Sequence, residues 1–143
     1  MMFNAINVSA SGLTAERLRM DVISKNIANA NTTRTVNGTP YRRQVVTFET
    51  QSEAQSFHSH LSDQMKKFSG VEVTGIKEDQ SPFKNVYEPG HPDANEQGYV
   101  LKPNVDIVTE MANMISATRA YEANITSIDA AKTMAQRALE IGR

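Results

Sequence analysis

A chain of 143 residues, 39% apolar and only 6% aromatic, is long enough for one modest core. Its formal net charge of −1, from 15 basic and 16 acidic side chains, supplies no basic field for nucleic acid or an anionic membrane. With no Cys there is no disulfide framework, thiolate metal site or thiol nucleophile.

At the start, the first basic residue is Arg17 and no unbroken apolar run follows, so no signal peptide is expected. No segment reaches the roughly 20 apolar residues of a membrane span, so no membrane insertion is expected. The expectation is a cytoplasmic chain, or one that leaves the cell without cleavage of a signal.

The first element is a helix. Leu13 to Asn37 holds neither Gly nor Pro, and Ile6, Leu13, Met20 and Ile27 recur every seven residues. Phe3, Ala10, Ile23 and Ala30 widen the stripe. Gly12 weakens the first turns by about 1 kcal/mol relative to Ala. The helix is expected to end near residues 29–33, where Asn and Thr compete for backbone hydrogen bonds. Asn26, Asn29 and Asn31 alternate there with Ile27, Ala28 and Ala30. They read either as a frayed helix end or as a close-packed interface whose amides fix register at a cost in stability.

Residues 37–103 form a second region, broken by all five Pro and most of the Gly. Asn37-Gly38 is a turn signal. Tyr41 to Glu49, Gly70 to Ile76 and Tyr99 to Leu101 read as short strands, rich in Val, Thr, Tyr or Phe. Residues 51–69 are polar; Phe57, Leu61, Met65 and Phe68 have helical spacing, but a loop fits equally.

The last element is a long helix over residues 104–141, again without Gly or Pro. Asn104 is the expected N-cap, with Asp106 and Glu110 placed for the positive end of the helix dipole. One row of the helix is Ile107, Met114, Tyr121, Ile128 and Ala135. A second, four residues on, is Met111, Thr118, Ile125, Lys132 and Leu139. At about 1.5 Å per residue the helix is roughly 57 Å long, beyond what a compact domain of this size holds. Val108, Ile115 and several Ala residues put further apolar surface on other faces.

The fold class expected is mainly α with a small β-rich middle: helices 1–36 and 104–143 paired as a coiled-coil core, with short strands and loops at 37–103 between them. The apolar stripes are wider than one seam needs. They fit an ordinary helical core or, more sharply, burial against neighbouring copies. The candidate assembly interface is Ile6, Leu13, Met20, Ile23, Asn26, Ile27 and Asn29 on the first helix. On the last it is Ile107, Met111, Met114, Tyr121, Asn124, Ile125, Ile128 and Leu139.

No chemistry is evident. His58 and His60 could share a strand face, but a third metal ligand at suitable spacing is missing. There is no nucleophile elbow, Walker loop or dinucleotide-binding glycine fingerprint. Arg42 and Arg43 beside Tyr41 are a weak nucleic-acid signal; a surface strand whose Arg residues pair with carboxylates explains them as well, and pairing between subunits is an intermediate reading. No enzyme activity and no cofactor are expected.

Ser11-Gly12-Leu13-Thr14-Ala15, followed by Arg19-Met20-Asp21-Val22-Ile23-Ser24-Lys25-Asn26-Ile27-Ala28-Asn29 and Ala30-Asn31-Thr32, resembles the N-terminal signature of bacterial flagellar rod and hook axial proteins. Pro40-Tyr41-Arg42-Arg43, Ser81-Pro82-Phe83, Val86-Tyr87-Glu88-Pro89-Gly90-His91-Pro92-Asp93-Ala94 and Gly98-Tyr99-Val100 are similar to the proximal-rod members of that family. So are Pro103-Asn104-Val105-Asp106, Glu110-Met111, Arg119-Ala120-Tyr121-Glu122-Ala123-Asn124 and Ala131-Lys132.

The resemblance implies a structural subunit exported unfolded by the flagellar type III apparatus. It implies a helical tube, the rod, that crosses the periplasm and carries torque from motor to hook, with both terminal helices in its inner wall. The partners implied are further copies, rod proteins of the FlgB, FlgF and FlgG types, and the MS-ring adaptor FliE. Two other readings compete: a discrete coiled-coil adaptor or chaperone module, and a small hydrolase using a His and a carboxylate.

Overall fold

A computed structural model describes residues 2–50 and 70–141. Two helices, α1 (Met2–Ala28) and α2 (Ile107–Ile141), flank four strands: β1 (Gln44–Thr50), β2 (Val71–Glu78), β3 (Lys84–Tyr87) and β4 (Tyr99–Lys102). This is the expected fold class. The helical spacing noted within 51–69, and His58 and His60, lie outside the described residues.

Both helices end where local chemistry dictates. At the close of α1 the Asn29 amide donates back to the Lys25 carbonyl at 2.9 Å, and the Asn29 carbonyl oxygen of the side chain accepts from the Thr32 hydroxyl. The start of α2 corrects one expectation. Asp106 is the N-cap, accepting from Val108 N–H and from the Thr109 hydroxyl. Asn104 lies just before the helix and bonds elsewhere.

The strands form two two-stranded sheets, β1 with β2 and β3 with β4. The first is antiparallel: Asp79 N–H donates to Arg43 O at one point, and Thr74 Oγ1 to Thr47 O further along. In the second, Val86 faces Val100 and Tyr87 faces Tyr99. Val100 turns inward and is almost wholly buried, while Tyr87 and Tyr99 meet edge to face on the exposed side. β3 was not expected from the sequence.

Two loops share one backbone device. Thr35 N–H bonds Thr39 O and Gly38 N–H bonds Thr35 O; Asn95 N–H bonds Tyr99 O and Gly98 N–H bonds Asn95 O. In each, a glycine with positive φ, 75° at Gly38 and 80° at Gly98, completes a three-residue reversal that other residues resist.

The chain divides into two compact units. The first takes Met1–Leu18, Thr47–Gly75 and Ala117–Arg143. Here α1 and α2 run antiparallel, with Ser9 Oγ donating to Ser127 Oγ and Gly12 against the Asn124 side chain. A Cβ on Gly12 would lie 3.0 Å from Asn124 Nδ2, so this glycine permits a close helix approach. Ala15, Ala117 and Ala131 are buried, marking a seam lined by small residues. The Ser11 hydroxyl accepts from Val71 N–H at the start of β2.

The second unit takes Arg19–Val46 and Ile76–Ser116. Val22, Ile23, Ala30, Tyr41, Val46, Val100 and Val105 are buried, with Ala30, Tyr41 and Val105 in mutual contact.

Gly98→Ala is expected to destabilise the protein. Its backbone position disfavours an L side chain by about 1–2 kcal/mol, and the new Cβ would sit 2.9 Å from the Tyr87 ring. Gly75→Ala, with nothing within 4 Å of the added Cβ, is expected to cause no loss. Urea denaturation of the two variants beside the parent checks the contrast.

Candidate functional site

The second unit holds a polar cluster in a place usually given to apolar side chains. Glu110, in the first turns of α2, is 0% exposed, and Asn26, in the last turns of α1, is 1% exposed. A buried carboxylate is costly unless paired and hydrogen-bonded. The chain supplies both from residues 41–44. Arg43 Nε and Nη2 donate to Glu110 Oε1 at 2.9 and 2.7 Å. Asn26 Nδ2 donates to Glu110 Oε2 at 2.9 Å and to Gln44 O at 2.8 Å. Asn26 Oδ1 accepts from the Tyr41 hydroxyl and from Gln44 N–H, both at 2.9 Å. Both donors and both acceptor positions of the Asn26 amide are thus used.

Two further residues hold the arginine segment. Arg43 Nη1 reaches Asp79 Oδ2 at 3.2 Å. Asn104 Oδ1 accepts from Arg43 N–H, while Asn104 Nδ2 donates to the carbonyls of Asp79 and Ser81. That is the role Asn104 fills instead of capping α2. Arg42 packs over the Phe83 ring, 4.4 Å from its centre, and donates to the same two carbonyls. The sequence alternatives for Arg42 and Arg43 are resolved for Arg43, which pairs with carboxylates.

The electrostatics follow. Burial opposes the Arg43 charge, but the Glu110 and Asp79 carboxylates outweigh it and raise the guanidinium further above its usual value. Hydrogen bonds from the Ser81 hydroxyl and amide, then Arg43, hold the Asp79 carboxyl below the usual carboxylate range. Burial first, then the negative charges of Glu110 and Glu78, push the Tyr41 phenol up.

The candidate interface residues fall into three groups. Ile23 and Asn26 are buried inside the chain and present no surface to a neighbour. Ile6, Leu13, Met20, Ile27, Asn29, Met114, Tyr121, Asn124 and Ile128 are half-buried. Ile107, Met111, Ile125 and Leu139 are exposed. The row through Met111, Thr118, Ile125, Lys132 and Leu139, expected in the helix seam, is therefore on the outside. The buried row of α2 is Glu110, Ala117 and Ala131, with Asn124 half-buried in the same heptad position. Close packing selects small residues there, which a search for large apolar side chains passes over.

On the outer face of the first turns of α2, Val108 at 76%, Met111 at 56% and Ile115 at 58% exposure form an apolar stripe with Ile107 beside it. Among the described residues there is no group of three or more His, Asp or Glu able to hold a metal, and no helix long and apolar enough to cross a membrane.

Tyr41→Phe is expected to cost about 0.5–1.5 kcal/mol, since Asn26 Oδ1 keeps its bond from Gln44 N–H. The raised phenol also sets a pH dependence. Its contribution is complete below the ordinary tyrosine value of about 10 and is lost as pH rises through the folded-state value. Tyrosinate absorbance should show a late-ionising phase from Tyr41, and Tyr41→Phe should lack that phase. Loss of the late phase by unfolding alone, with Tyr41→Phe titrating as the parent does, would contradict the assignment.

Residues 6–34 match the family model described as flagella basal body rod protein, and residues 96–141 match the model of the C-terminal region of the flagellar basal body rod FlgEFG proteins. The chain is 52% identical to the flagellar basal-body rod protein FlgC of Bacillus subtilis, over 99% of this chain and 98% of that protein. It is 47% identical to FlgC of Borreliella burgdorferi, over 98% and 97% of the two chains. It is 37% identical to FlgC of Escherichia coli O6:H1, over 99% and 98%. On likeness of this extent, the chain belongs to the FlgC family of flagellar basal-body rod proteins.

Proposed function

We propose that the chain is a structural subunit of the proximal rod, polymerising into the helical tube that transmits torque from motor to hook. Full-length likeness to rod proteins gives the basal-body role. The observation in the fold that supports polymerisation is the apolar stripe of Val108, Met111 and Ile115, left outside while the polar cluster closes within one chain. A helix apolar on an outer face gains by burying it against another molecule.

The finer reading takes further copies, rod proteins of the FlgB, FlgF and FlgG types and the adaptor FliE as neighbours. It takes the type III export apparatus, without signal cleavage, as the route to a rod that crosses the periplasm. The exposed candidates Ile107, Met111, Ile125 and Leu139 are the first positions to test as contact residues, and the half-buried Met114, Tyr121 and Ile128 flank them. No catalytic step and no cofactor enter this reading. Nothing among the described residues favours an adaptor or chaperone module.

Ile115→Asp separates assembly from folding. In the lone chain the new carboxylate stays in water, so stability should change by about 0.5 kcal/mol or less. Buried at a subunit contact without a partner, the same charge costs several kcal/mol, and the penalty recurs at every copy. The expected result is a soluble subunit absent from basal-body fractions and cells that fail to spread in soft agar. Gln97→Glu, on an exposed loop, should assemble and swim normally. Normal incorporation of Ile115→Asp would show that this face stays in water in the rod.

A further inference from the structure

Glu110 and Arg43 are unequal partners. The Glu110 side chain is 1% exposed and that of Arg43 is 24% exposed. Asp79, the second partner of Arg43, is 27% exposed. If Glu110 is removed, Arg43 keeps Asp79 and some contact with water. If Arg43 is removed, Glu110 keeps an amide donor from Asn26, and at longer range Asn113 at 3.4 Å, with no counter-charge among the bonds it makes.

The location of the pair gives that asymmetry a consequence. Asn26 comes from α1 and Glu110 from α2, so the direct bond between them lies in the helix pair itself. Apart from the long Asn113 contact within α2, the rest of what satisfies these two side chains comes from one short stretch: the Tyr41 hydroxyl, the Arg43 fork, and the N–H and C=O of Gln44. With that stretch displaced, closing the last turns of α1 on the first turns of α2 would bury an unpaired carboxylate and two empty acceptor positions on Asn26. The open arrangement, with water on both groups, is then the lower in free energy. With the stretch in place, all the bonds form together. Asn104 ties the same stretch to the residue run that leads into α2, through Arg43 N–H.

We infer that the Arg43–Glu110 pair is an interlock: α1 and α2 close on one another at this end only when residues 41–44 have docked. A subunit whose middle segment is out of place therefore lacks a closed helix pair. The consequence for assembly rests on the rod-subunit reading: misfolded copies would be turned away because the helices that meet their neighbours have not closed.

The test is a double-substitution cycle on the full chain with Arg43→Met and Glu110→Leu, which keep the approximate length and bulk of each side chain. Two readouts apply: the urea midpoint, and hydrogen exchange at residues 22–28 of α1, 107–116 of α2 and 44–46 of β1. Arg43→Met is expected to lower the folding constant about a hundredfold or more. It should release helix and strand amides together. Glu110→Leu alone should cost clearly less. The double variant should regain most of the helix protection lost in Arg43→Met, because the uncompensated charge is gone.

Additive losses, or a double variant worse than Arg43→Met, would overturn the interlock. So would an Arg43→Met chain in which only β1 amides lose protection. The same four genotypes are scored in cells by the amount of subunit in basal-body fractions. Rescue in urea and exchange without rescue of incorporation would keep the interlock and count against its role in assembly. Rescue in cells alone, without change in exchange, would overturn it.

Discussion

The carboxylate of Glu110, fully removed from water, is the constraint around which the second unit is arranged. Burying a charge is worth doing only where every partner is fixed in advance. Those partners come from three places far apart in sequence: Asn26 at the end of α1, Arg43 before β1, and Asp79 after β2, which holds the far side of the guanidinium. Replacing the ion pair with apolar side chains would often be neutral or stabilising. What such a pair supplies is selectivity, because few alternative packings satisfy Glu110 and Asn26 at once.

The polar cluster and the apolar stripe divide the work of α2 by face. Glu110 points inward and is satisfied inside the chain, while Val108, Met111 and Ile115 point outward. For a subunit that joins others this is a sensible division. Directional hydrogen bonds set the shape of the single chain, and non-directional burial is left for contacts between chains. Asp106 serves both faces indirectly, since its cap on the first turn fixes where the helix begins and so which residues face which way.

Much of the fold was legible in sequence. The two Gly- and Pro-free stretches marked both helices, and the Val- and Thr-rich runs marked β1, β2 and β4. The β3 strand was not legible, because Lys84-Asn85-Val86-Tyr87 has little strand character of its own and is defined by pairing with β4. One of the two rows expected in the helix seam was misplaced for a physical reason. Periodicity of large apolar residues picked out the Met114, Tyr121 and Ile128 row, which is half-buried beside the seam, and the Met111 row, which lies outside, whereas the buried row of Glu110, Ala117 and Ala131 is small or polar. Asn26 stands out in sequence with Asn29 and Asn31 as either a frayed helix end or a close-packed interface amide, but sequence cannot say that its partners lie in its own chain. Glu110 was read as a dipole partner; the missed signal was an acid in register with Ala117, Asn124 and Ala131, matched by an arginine just before a strand. Both Asn104 and Asp106 are good caps locally, and only the demand of Arg43 N–H for an acceptor decides between them.

The central claim is that the polar cluster closes within one subunit and leaves the outer apolar face of α2 for contact with others. A side-chain-resolution map of the intact basal body tests it most directly. The account predicts Arg43, Asn26 and Tyr41 of one subunit around Glu110 of the same subunit, with Val108, Met111 and Ile115 covered by a neighbouring chain. A Glu110 paired with an arginine from a neighbouring subunit, or an α2 stripe facing solvent in the rod, would contradict it.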